Sequence, residues 1–417
     1  MPNRRHTIAF ILVTIALDSM SLGIVIPVLV NLLRELTDLE PKDSVVYGSA
    51  LLFIVAAMQF IFAPILGNLS DRFGRRPVLL LSLAALAVDH LLVAIAPTIY
   101  LVFLARLLTG ICTATFPTAN AVIADITPPD ERVRLFGIIG GAWGVGFILG
   151  PLLGGFIGAE FGTRAPFYVA AVLAGLNALY GALVMPETLG EEHRRPFSWA
   201  RANPVGSIWQ MRKFPMLLPM FAAVFFYMVA HDVNPGVWVF YVTHKFGWGP
   251  TDISHSLVAV GVCTILVMTF LVGYINDKLG EYRTAYLGFA FGALGYLGIG
   301  LATEGWMMYA MIPVFSLFGV GMPAVRGLMS AKAGPDAQGD LQGSIGSVSA
   351  LATVLTPLAI GPLFTTFSQP DFDYYFPGVV HIMGAAALVV AAVFVGFSAL
   401  MHRREREGGD GGGGTAG

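Results

Sequence analysis

The sequence predicts an all-α integral membrane protein, with twelve transmembrane helices arranged as two pseudo-symmetric six-helix bundles. Three observations carry this. Hydrophobic residues make up 56% of the 417 positions and charged residues only 12%, about half the charge of a soluble domain (~25%). Apolar runs of about 20 residues, long enough to cross a bilayer as a helix, recur along nearly the whole length. The second half also repeats the first at a constant offset of 206 residues, 67 to 273 and 117 to 323 among them.

The elements follow in order. Arg4 and Arg5 precede a first apolar run near 7–30. It has no small-residue cleavage site and continues through GIVIPVLVNLL, so it reads as a retained helix rather than a signal peptide. Spans near 48–68, 78–96, 99–125, 133–158 and 166–185 complete a bundle over 1–185. A second set falls near 214–242, 253–273, 284–302, 306–330, 341–366 and 377–400, a bundle over 214–400. Between them 186–213, PETLGEEHRRPFSWARANPVGSIWQMRK, is the one long polar segment and reads as a cytoplasmic linker. Residues 401–417, ending GGDGGGGTAG, read as a disordered cytoplasmic tail.

Charge sets the expected orientation. With the N-terminus inside, 18 of the 24 Lys and Arg fall on the cytoplasmic side, while Arg34, Lys42, Arg164 and Lys245 lie outside and Arg106 and Arg326 within spans. That is the positive-inside pattern, and an even number of spans keeps both termini in the cytoplasm. Cys112 and Cys263 both sit in apolar runs, which speaks against a disulfide framework or a metal site. A net charge of −2 with no long basic tract gives nothing for nucleic acid to bind. No dense catalytic constellation argues for an enzyme, and no cofactor is expected.

The repeat is explicit. GNLSDRFG at 67–74 matches GYINDKLG at 273–280, and the same offset pairs Pro117 with Pro323, Pro129-Asp130 with Pro335-Asp336, Gly137 with Gly343, Pro151 with Pro357 and Gly155 with Gly361. Several matches at one offset indicate duplication, and parallel six-helix repeats are a transporter architecture.

Gly67, Asp71, Arg72, Gly74, Arg75 and Arg76 crowd the gap between the second and third spans, in GNLSDRFGRRP. Arginines alone would hold such a turn outside the bilayer. The added glycines suggest close packing of helices and turn, and Asp71 suggests an acceptor for a helix N-terminus, so the loop reads as a cytoplasmic gate. Gly146, Gly150 and Gly154 lie four residues apart, hence on one helix face, with Pro151 bending the helix and Gly155 beside it. Among ionisable residues inside spans, Asp18 and Asp89 fall close to mid-membrane, Arg106 lies about 10 Å into its helix, and Asp232 and Arg326 face the question of whether they pair. Such groups mark proton or substrate sites by default. His90, next to Asp89 in sequence, falls on a different helix face.

These motifs carry a resemblance. GNLSDRFGRRPVLL fills every defined position of the major facilitator superfamily's loop signature, G-x-L-x-D-R-x-G-R-R/K. Arg106 and Gly110 match its R-x-x-x-G motif, and Gly146 through Gly155 resemble the G-x-x-x-G-P-x-x-G-G signature of its antiporters. ALDSMSLGIVIPVLVNLLREL, IADITPPDERVRLFG and GVGMPAVRGLMSAKAGPDAQGDLQGS are similar to the bacterial tetracycline/proton antiporters. The resemblance implies a proton-coupled exporter of tetracycline-like or multiple drugs, free or metal-chelated, in the bacterial cytoplasmic membrane. It also implies that Asp18 and Asp89 are intramembrane acids needed for export. One departure stands out: Gly292 occupies a position where those exporters carry an essential acid, while Asp232 and Arg326 occupy positions usually uncharged there. A proton-coupled metabolite carrier and a non-transporting membrane sensor are the alternatives.

Overall fold

The computed structural model describes residues 4–127, 129–194, 196–199, 203, 210–333 and 338–410. Among these the chain is helical, with no strand. Eleven stretches are long and apolar enough to cross a membrane, and one of them, Pro250–Leu301, is 52 residues long. It holds two crossings, because Gly280 leaves the helical region inside it with φ 72°. Twelve spans result.

The first span runs Arg4–Val25, tightens into a 3-10 turn over Ile26–Val28 and continues as Leu29–Thr37. Pro27 causes the change, since it has no N–H for the α-helical ladder. Pro41 opens the second span, Pro41–Phe73, where its missing N–H has no partner to lose. Gly74 closes that span at φ 104°, a conformation only glycine adopts without strain. The third span is Arg75–Ala94, the fourth comes in two pieces, Ile99–Cys112 and Thr115–Ile126, the fifth is Pro129–Phe161 and the sixth Ala165–Val184. The seventh span is Leu218–Phe246. The eighth begins as Pro250–Leu266 and passes through a π turn at Val267–Leu271, and the ninth follows Gly280 within Val272–Leu301. The tenth is interrupted, Gly305–Ser316 and Gly321–Ala333 around a 3-10 turn at Leu317–Val320. Gln338–Phe367 and Val379–Asp410 are the eleventh and twelfth.

Two expectations need comment. The twelfth helix runs on to Asp410 where a disordered tail was expected from Met401. The alternating Arg and Glu of HRREREG are strong helix formers, and glycine takes over only afterwards. Residues 411–417 lie outside the described residues, as do Pro335, Asp336 and positions 195, 200–202 and 204–209 of the linker.

The duplication is written in the backbone as well as the sequence. Gly74 and Gly280, one repeat apart, both take positive φ. The break of the fourth span at Thr113 and Ala114 has its counterpart at Gly319 and Val320, in the 3-10 turn of the tenth.

The chain packs as two units, Met1–Pro204 with Gly236–Val262 and Pro357–Pro377, and Val205–Pro235 with Cys263–Thr356 and Gly378–Gly417. One end of the seventh, eighth and eleventh spans thus groups with the first six spans, a division different from a cut at the linker. Named bonds hold it. Lys42 donates to Gln369 Oε1 (2.9 Å), Gln369 Nε2 to Asp43 Oδ1 (2.9 Å), and the Thr365 hydroxyl to the Lys42 carbonyl (2.9 Å). The Ser254 hydroxyl donates to the Pro151 carbonyl (2.5 Å).

The core of the first unit is Phe10, Ile11 and Ile15 against Leu79, Leu83, Val122 and Ile123. Lipid tails are as apolar as these side chains, so close packing rather than water exclusion holds such spans together. The first and fifth spans show how. A Cβ at Gly146 would lie 2.2 Å from the Ala16 carbonyl oxygen, one at Gly150 2.6 Å from that of Met20, and one at Gly154 1.9 Å from that of Ile24. Ala16, Met20 and Ile24 are themselves four apart, so the glycine face lies directly on first-span backbone. Gly155 faces elsewhere, against Ser254 and the Pro250 carbonyl.

Candidate functional site

Two polar clusters stand out in the first unit. The first is the loop between the second and third spans. Arg75, only 13% exposed, donates to Asp71 Oδ1 (2.7 Å), to the Ser70 hydroxyl (3.1 Å) and, through Nε, to Asp125 Oδ2 on the fourth span (3.0 Å). A guanidinium suits this bridge because its fork reaches several acceptors at once. Glu187, just beyond the sixth span, accepts from the backbone N–H groups of Arg75 (2.8 Å) and Arg76 (3.2 Å). These are orphan donors of the third span's first turn, where a carboxylate also meets the positive end of the helix dipole. Arg76 does the reverse, donating to the Ala182 carbonyl in the last turn of the sixth span (2.6 Å). Helix start, helix end and loop are thereby tied together.

This corrects the expectation in three places. Glu187, not Asp71, caps the helix N-terminus, and Asp71 pairs with Arg75. Gly74 provides the required closeness, since a Cβ there would fall 2.1 Å from Glu187 Oε2, but a Cβ at Gly67 would meet open space. Gly67 instead lines a cleft of about 390 Å³ with Asn68, Asp71, Arg75 and Pro117. Arg72 stays outside the network, its guanidinium 5.0 Å from the centre of the Phe73 ring. Asp125 and Glu187 were missed in the sequence. The signal was there for Glu187, an acid directly after a span end that returns beside a helix start.

The second cluster lies between the third and fourth spans. Asp89 is fully buried, and its Oδ2 accepts from Arg106 at 2.5 Å. His90 Nδ1 stands 3.6 Å from the same oxygen, although the two residues are neighbours in sequence. Arg106 is therefore anchored by Asp89. Gly110, one turn on, lets the second span approach, with Met58 Cβ 2.6 Å from where its own Cβ would be. Asp18 of the first span is 9% exposed with its Oδ1 unbonded, next to Thr115. Among the described residues no cation lies within ion-pair distance of it.

In the second unit the structure does not form the Asp232–Arg326 pair. Asp232 Oδ1 bonds His231 Nδ1 (2.9 Å), while Arg326 is exposed near Tyr227, and among the described residues it has no ion-pair partner. Tyr227 stacks on Phe318 at 4.3 Å, and Phe315 continues the stack at 5.5 Å. The same Phe318 explains Gly292. A Cβ there would lie 2.7 Å from side-chain atoms of Phe318 and of Leu388, so an acid would require both to move. The second copy of the loop has also lost its clamp. Glu281 and Tyr282 stand where Arg75 and Arg76 stand in the first, and Lys332 bonds the Tyr282 hydroxyl instead (3.0 Å).

Twelve apolar spans in two repeats, an ordered polar loop and buried ion pairs define a multi-pass membrane transporter rather than an enzyme. Residues 8–357 match the Major Facilitator Superfamily, and the chain belongs to that family. It is similar to the tetracycline resistance protein, class C, of Escherichia coli, 37% identical over 92% of this chain and 95% of that protein. To the class G tetracycline resistance protein of Vibrio anguillarum it is 36% identical, over 93% of this chain and 96% of that one. In fold it resembles the solved nucleoside transporter NupG, with a TM-score of 0.74 at 14% identity over 95% of this chain and 99% of that one.

Proposed function

We propose that this protein exports tetracycline-like, amphiphilic drugs in exchange for protons, by alternating access across the bacterial cytoplasmic membrane with both termini inside. The observation that carries the reading is the buried Asp89–Arg106 pair with Asp18 left without a cation. A carboxylate inside a bilayer changes charge when it takes a proton, and that change biases which conformation is favoured. The likeness to tetracycline resistance proteins supports the substrate class. Asp232 and Arg326, unpaired with each other, serve in this reading as separate coupling or substrate groups of the second half. The drug travels free or metal-chelated. Gly292, packed under Phe318 and Leu388, favours a substrate range differing from that of exporters with an acid there.

Inverted membrane vesicles test this directly. With the lumen acid, tetracycline uptake is expected to exceed that of empty vesicles and to collapse when a protonophore is added. Uptake indifferent to the protonophore, or uptake of polar metabolites in place of amphiphiles, would refute it.

The loop is proposed as the cytoplasmic gate, and its geometry grades two variants. Asp71→Asn removes one of two carboxylates from Arg75, whereas Arg75→Gln releases both. Transport at equal expression should fall in Asp71→Asn and fall further in Arg75→Gln, with membrane insertion intact in each. Wild-type transport by both would leave the loop a topogenic turn.

A further inference from the structure

The fourth span is broken beside both buried carboxylates, and one side chain holds the break. Ser82 of the third span accepts from the Ala114 N–H (2.9 Å) and donates to the Cys112 carbonyl (2.7 Å). An unbroken helix would send that N–H to the carbonyl of Gly110. Around the break, five buried polar atoms lack a well-formed hydrogen bond: Asp18 Oδ1, Asp89 Oδ1 and the hydroxyls of Thr109, Thr113 and Thr115, with Thr115 facing Asp18 and Thr109 facing Asp89 at loose range. Thr115 adjoins Asp18, Thr109 adjoins Asp89, and Thr113 stands one helical turn from Thr109. Buried polar groups are bonded in about nine cases of ten. Under-bonded polar groups of this kind, flanked by a carboxylate at each end, are ones that water can satisfy.

We propose that this break is a built proton path, in which the hydroxyls of Thr109, Thr113 and Thr115, bridged by water, carry protons between Asp18 and Asp89. The proposal rests on the proton-coupled reading above. Thr109 and Thr113 stand four residues apart, about the ~5–6 Å of one helical turn, a gap that one water spans with two hydrogen bonds, and Thr115 follows two residues on across the break. Each hydroxyl and each water gives one proton and receives one, so only the two carboxylates change charge. The charged and titratable groups facing the path are few. Arg106 holds Asp89 Oδ2, and His90 Nδ1 stands 3.6 Å from that same atom, which leaves Oδ1 as the oxygen free to exchange. Thr109, Thr113 and Thr115 act in this scheme as proton relays.

The test uses full-length protein in liposomes holding a pH-sensitive dye, driven by a tetracycline gradient, with tetracycline binding measured separately. Thr113→Val and Thr115→Val keep the side-chain shape and remove the hydroxyl. Each should slow proton counter-flux about tenfold, equivalent to ~1.4 kcal/mol, while binding stays within about twofold. Thr113→Ser and Thr115→Ser, which keep the hydroxyl, should restore the flux, an outcome that a packing defect does not produce. Valine variants with wild-type proton flux overturn the path. Wild-type protein that moves tetracycline without moving protons overturns the coupling reading itself, before any variant is compared. Counter-flux of sodium in place of protons assigns the break to a cation and overturns the path as well.

Discussion

Asp89→Asn reduces acid-driven tetracycline uptake into inverted vesicles to the level of empty vesicles. Two effects add in this variant. The group that would take the proton is gone, and Arg106, only 17% exposed, loses its ion-pair partner. Breaking a buried pair from one side costs about 3–5 kcal/mol, because the remaining charge stays desolvated. Lowered expression alone is therefore weak support for coupling. The double variant Asp89→Asn with Arg106→Gln separates the effects, since it removes both charges and the imbalance with them. Thermal stability in detergent should recover in the double variant while acid-driven uptake stays absent. Normal uptake by the double variant would make the pair a structural lock, and Asp18 or Asp232 would then have to carry the proton.

Gly154→Leu abolishes transport, and Gly150→Leu does so at slightly lower cost. Neither depends on any assignment of coupling. At Gly154 the first side-chain carbon already falls 1.9 Å from the Ile24 carbonyl oxygen, and at Gly150 it falls 2.6 Å from that of Met20. Backbone cannot swing aside as a flexible side chain does, so the two spans must separate by more than an ångström, and the packing along their length is lost. A shorter melting temperature scale tells the sites apart: Gly140→Leu, where a Cβ meets nothing within 4 Å, should leave stability unchanged. Similar losses at all three positions would mean that the glycine face has no special role.

The sequence made the spans legible because bilayer thickness and apolar length are the same constraint, and the repeat legible because motifs recur at one offset. Arg106 and Asp89 were each recognisable as costly intramembrane charges. Their pairing was not, since it joins different spans and depends on how the third and fourth pack. The loop shows the same limit. Its residues were readable from 67 to 77, Asp71 among them, but the other two acids that bind it, Asp125 and Glu187, lie 50 and 112 residues beyond Arg75. Asp232 and Arg326 show the converse, since opposite charges in one half invited a pair that the seventh and tenth spans do not form. The breaks in the fourth and tenth spans each lie four residues before a proline, Pro117 and Pro323, whose ring removes the bond to the carbonyls of Thr113 and Gly319. In the fourth, Ser82 on a neighbouring helix then takes up the freed Ala114 N–H and the Cys112 carbonyl, a partner that local sequence does not announce.

That serine also gives the fourth span a mechanical property. A continuous helix bends only by stretching its ladder of hydrogen bonds, whereas Ile99–Cys112 and Thr115–Ile126 are joined through two bonds to one hydroxyl. Bonds of this kind contribute about 1 kcal/mol each, so the join is held by about 2 kcal/mol, less than the ladder of an unbroken helix would supply along the same stretch. Thr115–Ile126 is tied to the loop through the Arg75–Asp125 bridge, and Ile99–Cys112 carries Arg106 on Asp89. The fourth span is therefore compliant at the level where its two polar clusters meet, an elbow rather than a rod.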